Sequence, residues 1–163
     1  MRTRVVWALG LAAILGCGDA ADGAVQTARA ELGNGVDRAE LFRVNGQDWI
    51  AAATGGRVML LRRTSSGWEP RDPDLPNARS WGITDVDGDA QPELWVAAAD
   101  GAASLDLRAY SVRSGLTYRV IVPVSGGRPD EARREFSYNV MERRDIQDRL
   151  TTLARSLART QTP

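Results

Sequence analysis

The sequence predicts a mainly β domain closed by a C-terminal α-helix. Three observations carry this. Short apolar runs separated by Asn, Gly and Ser recur between residues 39 and 124. A segment of Trp, an aliphatic residue and three alanines occurs twice, at Trp49 and again 46 residues on at Trp95. Near the C-terminus Ile146, Leu150, Leu153 and Leu157 follow one another at spacings of four, three and four.

In order along the chain, Arg2 and Arg4 precede an uncharged apolar run of 11 residues, Val5 to Leu15. That length fits a signal segment and is too short for a membrane-spanning helix. The run ends in Ile14-Leu15-Gly16-Cys17, and Cys17 is the one cysteine of the 163 residues. No second thiol competes for it. Residues 18–37 are rich in Gly, Ala and Asp and read as a tether, with a short helix expected from Asp22 to Leu32 and closed by Gly33.

The β domain is expected over residues 38–127. Leu41, Phe42 and Val44 lead to a turn at Asn45-Gly46, Trp49 to Ala53 to a turn at Gly55-Gly56, and Val58 to Leu61 to a turn at Ser65-Ser66-Gly67. A loop with three prolines, residues 69–78, precedes strands at 80–84, 94–98, 104–112 and 116–124. The two Trp-led segments, with Leu61-Arg62 and Leu107-Arg108 at the same offset, define two units of a length found in β-propeller blades. Two blades cannot close a ring. The expectation is therefore an open sheet or sandwich, not a closed propeller within one chain. Trp49, Trp68, Trp81 and Trp95 are expected in its core. Residues 128–163 form a C-terminal segment whose apolar stripe predicts an amphipathic helix over 145–159, with Asp145 as its N-cap. Residues 130–144 fit strand and helix alike.

Composition narrows the chemistry. There is no His, and all 21 basic residues are Arg, balanced by 21 acidic residues. The charge balance gives no field for nucleic acid. Without His or Lys, His-based catalysis, Schiff bases and His-ligated metals are excluded. Nothing pairs a nucleophile with a base, so the chain is expected not to be an enzyme. The one catalytic alternative is a carboxylate-dependent hydrolase of envelope glycans using Asp72 and Asp74.

The densest chemical signal is Asp85-Val86-Asp87-Gly88-Asp89-Ala90-Gln91-Pro92-Glu93. With Asp85 as position 1, carboxylates fall at positions 3, 5 and 9, and Gln91 offers a backbone carbonyl at position 7. Hard oxygen ligands so arranged suit Ca²⁺. An EF-hand is excluded, because Ala90 and Val96 stand where that loop needs Gly and a bidentate Glu.

Two resemblances follow. The segment ending at Cys17 resembles the lipobox of bacterial lipoproteins, which implies cleavage before Cys17, its diacylation, and a chain anchored to a bacterial envelope membrane outside the cytoplasm. The run from Ile83 to Ala98 resembles the FG-GAP or VCBS-type repeat of integrin alpha propellers and bacterial surface proteins. That resemblance implies a Ca²⁺ loop between two strands of a blade, with Asp85, Asp87, Asp89, the Gln91 carbonyl and Glu93 as ligands. It also implies a role in adhesion or binding, with an envelope protein or glycan as partner; a structural part in an envelope assembly is the other non-catalytic reading. Ala90 stands where the family usually has Gly, and Glu93 where it usually has Asp.

Overall fold

The computed structural model describes residues 17–99, 104–125 and 128–160. The expected signal segment before Cys17, residues 100–103, the pair Gly126-Gly127 and residues 161–163 lie outside the described residues. Among the described residues no helix is long and apolar enough to cross a membrane.

The fold is mainly β with a C-terminal helix, and neither of its two sheets closes. Helix α1 spans Cys17–Leu32. An antiparallel meander follows in the order β1 (Val36–Val44), β2 (Gln47–Thr54), β3 (Arg57–Thr64) and β4 (Gly67–Arg71). The second sheet holds β5 (Ser80–Thr84), β6 (Glu93–Ala99), β7 (Ser104–Tyr110) and β8 (Thr117–Ser125), with β10 (Glu135–Phe136) beyond β8 and the short β9 (Arg128–Pro129) also on β8. Helix α2 (Arg144–Thr160) is the last element of the described residues.

Turn chemistry sets the first meander. Asn45 and Gly46 join β1 to β2 at φ of +50° and +78°, and Gly55 and Gly56 join β2 to β3 at +57° and +81°. Two consecutive left-handed residues match the right-handed twist of paired strands, and Asn and Gly adopt that conformation at least cost.

The two sheets lie face to face between the two helices. Phe42, Val44, Ala51, Val58 and Leu60 of the first sheet share a core with Trp81, Leu94 and Val96 of the second. On the outer face of the first sheet, Ile50, Ala52 and Leu61 pack against Ala24 and Ala28 of α1. On the far face of the second, Leu107, Ala109, Val120 and Val122 pack against Ile146, Leu150, Ala154 and Leu157 of α2. The molecule is thus helix, sheet, sheet, helix. This explains why the Trp-led strands are apolar at nearly every position. A strand covered on both faces has no solvent side on which to alternate. Three alanines in β2 and in β6 let these layers approach closely, and Ala51, Ala52 and Ala97 are fully buried.

Several expectations need correction. The helix expected from Asp22 to Leu32 starts earlier, at Cys17, and residues 18–37 pack on the domain, with β1 opening at the fully buried Val36. Alanines at one-turn spacing have high helix propensity and form a flat face, so Ala24 and Ala28 can seat on the sheet without a large apolar stripe. Asp145 lies inside the first turn of α2 instead of capping it, with its carboxylate 3.0 Å from the Arg143 guanidinium. Residues 130–144 are neither a full strand nor a helix. They carry two short 3₁₀ turns, Glu131–Arg133 and Tyr138–Val140, on either side of β10.

The Trp-led segments occupy the second strand of each meander, yet their pairings differ by one residue. Trp49 faces Arg62, whereas Trp95 faces Ala109. Of the four tryptophans Trp81 is buried, with Arg38 stacked 4.2 Å from its ring centre, and Trp49, Trp68 and Trp95 are half-buried against the three cores. Trp95 lies across Gly82 on the neighbouring strand: a Cβ there would sit 2.8 Å from Cζ2 of the indole.

Candidate metal centre

The acidic segment forms the loop between β5 and β6, and Thr84 and Glu93 are its closing pair. Asp85, Asp87 and Asp89 converge, each offering a carboxylate oxygen within 4.8 Å of the others. This cluster could hold a metal ion. Three carboxylates this close repel one another by about 1–3 kcal/mol per pair in a partly solvated setting.

The loop is shaped by its own side chains. Asp85 accepts from the backbone N–H of Gly88 at 2.6 Å and of Ala90 at 3.2 Å. Asp87 accepts from Asp89 N–H at 3.2 Å, and Asp89 from Gln91 N–H at 2.8 Å. Such bonds are why Asp at alternate positions winds the chain into a tight turn. Each carboxylate has about four acceptor sites, so these bonds leave capacity for a cation.

The backbone conforms to the spacing of the motif. Gly88 has φ of +80° and Ala90 has φ of +63°. A left-handed Ala costs roughly 1–2 kcal/mol, partly offset because Gly loses more entropy on folding. Ala90→Gly is therefore expected to stabilise the fold by about 1 kcal/mol, checked by urea unfolding.

Glu93 differs from the other acidic residues. Its side chain is fully buried beneath the loop. Oε2 accepts from Val86 N–H at 2.7 Å, between two of the clustered aspartates, while Oε1 has no hydrogen-bond partner. Burial pushes its carboxyl up to about 7, and the charges of Asp87 and Asp89 add to that rise against the backbone N–H groups of Val86 and Asp87. Gln91 turns its side chain outward, where Oε1 accepts from Asn45 N–H at 2.7 Å. That bond joins the β1–β2 turn to the acidic loop, so both lie at one end of the sandwich.

No family model, characterised protein or solved structure matches this chain. The site is accordingly read from its own geometry.

Three residues from distant parts of the chain hold the loop. Tyr118 on β8 donates its hydroxyl to Asp87 Oδ2 at 2.9 Å, and Arg113 reaches Asp89 Oδ2 at 2.6 Å. Arg149 on α2 donates to the Asp85 carbonyl at 3.3 Å. Burial and the negative charge of Asp87 push the Tyr118 phenol up to about 12. Burial alone would raise Asp89, but the Gln91 N–H and the Arg113 guanidinium outweigh it and hold the carboxyl below its ordinary value. None of these partners carries a local sequence signal. Only the third dimension brings residues 113, 118 and 149 to the loop.

The candidate hydrolase pair sits elsewhere. Asp72 pairs with Arg57 at 2.6 Å and accepts from Asp74 N–H at 2.9 Å, so the two residues form a turn. Cys17 is the first residue of α1.

Proposed function

We propose that the chain is a non-enzymatic, lipid-anchored protein of the bacterial envelope whose β5–β6 loop binds Ca²⁺, and that it serves as a binding or adhesion module. One observation carries the metal half: three convergent aspartates in a loop closed by a buried glutamate, Glu93, whose Oε1 is unpaired. A surface turn closed by Asx hydrogen bonds has no need of a fourth, buried carboxylate. Leaving such a group unsatisfied costs about 1–3 kcal/mol. An oxygen-seeking divalent cation removes that cost, and Asp85, Asp87, Asp89 and Glu93 are the side chains that would hold it. Oxygen donors alone, with no sulfur or nitrogen, favour Ca²⁺ over a transition metal. Support for the lipid anchor is the Arg-flanked apolar run ending at Cys17. The hydrolase alternative rests on Asp72, whose carboxylate pairs with Arg57, and on Asp74, whose backbone N–H closes a turn on Asp72.

The test is thermal unfolding in 1 mM Ca²⁺ against chelator. A site with a dissociation constant of about 0.1 mM stabilises the fold by about 1.4 kcal/mol. For a chain of this size that is a rise of roughly 3–6 °C in Tm. Asp87→Ala is expected to abolish the rise. An unchanged Tm on adding EDTA, with no heat in Ca²⁺ calorimetry, would remove the metal reading.

A further inference from the structure

A cleft of about 400 Å³ lies between α2 and the base of the acidic loop. That volume is within the range of small-molecule sites. Leu153 gives it an apolar wall over the buried Val86, and Thr152, Ser156, Asp148 and Arg149 give it a polar rim. Asp85 belongs to this lining as well as to the acidic cluster, so cleft and cluster share a wall.

Among the described residues, Arg149 is the one cation of the lining. Its guanidinium lies flat against the loop, where the missing side chain of Gly88 makes room; a Cβ there would come 3.1 Å from Nη2. Its contacts with Asp85 are long, 3.3 Å to the carbonyl and 3.8 Å to the carboxylate, and its side chain is 49% exposed. The charge is therefore positioned by packing but weakly engaged. A guanidinium of this kind matches a carboxylate or related oxyanion better than an ammonium does.

We propose that this cleft binds a small amphiphilic anion, with its apolar body on Leu153 and its anionic group on Arg149, and that Ca²⁺ in the loop strengthens the binding. The second half rests on the metal reading above. The sign of the coupling follows from charge alone. One arginine against Asp85 and Asp148 leaves the rim net negative, which opposes an anion. A divalent cation on the shared wall adds two positive charges and so weakens that opposition. Linkage then requires the anion to raise Ca²⁺ affinity by the same factor.

Calorimetric titration of the full chain with 4-phenylbutyrate and with uncharged 4-phenylbutanol, each in Ca²⁺ and in chelator, tests both halves. The acid is expected to bind at least about tenfold tighter than the alcohol in Ca²⁺, and to gain roughly tenfold from chelator to Ca²⁺. Arg149→Gln is expected to erase the preference for the acid, Arg149→Lys to retain part of it, and Ser156→Phe to block both compounds. Circular dichroism and unaltered Tm confirm that each variant folds. Equal binding of acid and alcohol, or an acid preference that survives Arg149→Gln, overturns the cleft proposal even where Ca²⁺ binds. An acid preference identical in Ca²⁺ and chelator, with no heat from Ca²⁺ alone, upholds the cleft and overturns the coupling together with the metal reading.

Discussion

Leu150→Ala is expected to remove about 3 kcal/mol of stability. The side chain is fully buried at the middle of α2, in a core shared with Leu107, Val120 and Ile146. Truncation loses the transfer energy of the missing carbons and leaves a cavity that two rigid layers cannot collapse around, a combination that spans about 2–5 kcal/mol. The expected fall in Tm is roughly 6–12 °C. Leu153→Ala, on the same stripe but half-buried at the cleft, is expected to cost about 1 kcal/mol. Urea unfolding of both variants with unchanged m-values checks the contrast. Equal losses at the two positions would mean that α2 is not seated as described.

Raising the pH from 4.5 to 8 in chelator is expected to cost the fold about 3 kcal/mol through Glu93. Its folded carboxyl titrates at about 7 against an ordinary value of 4.5, because burial and the neighbouring aspartates oppose ionisation. The folded chain therefore holds this proton more tightly than the unfolded chain. The contribution is complete below the unfolded value and is lost as pH rises through the folded one, at about 1.4 kcal/mol per unit between them. Asp106 acts in the opposite sense. Burial would raise it, but the guanidiniums of Arg119 and Arg108, bonded to its two oxygens at 2.8–3.3 Å, outweigh burial and lower it. Its contribution is present above its ordinary value of 3.8 and is lost as pH falls through the depressed one. Glu93→Gln is expected to flatten the decline above pH 4.5 in chelator while weakening Ca²⁺ binding. Ca²⁺ at pH 8 is expected to restore part of the loss in the wild type. Chelated wild type with level stability across this range would show that Glu93 ionises freely.

Local chemistry was legible in the residues; coverage was not. The turns at Asn45-Gly46 and Gly55-Gly56, the stripe on α2 and the left-handed backbone at Ala90 all follow from requirements that act within a few residues. So does the convergence of Asp85, Asp87 and Asp89, which alternate along one tight loop. Helix α1 was legible only in part, since Ala24 and Ala28 resemble the rest of an Ala- and Gly-rich stretch until a sheet is placed beneath them. Tyr118, Arg113 and Arg149 were invisible as supports of the loop because each contributes one polar atom from a separate element. The burial of Glu93 was hidden too, since in the sequence it looks like one more ligand on an exposed turn.

The terminal helices set a limit on growth. Each covers the broad side of a sheet that tandem duplication would otherwise use to add another layer. Between the sheets, Leu60 meets Leu94 and Val96 directly, with no room for a further layer. The sandwich therefore holds two stacked sheets, and its uncovered parts are the strand margins and the loop ends.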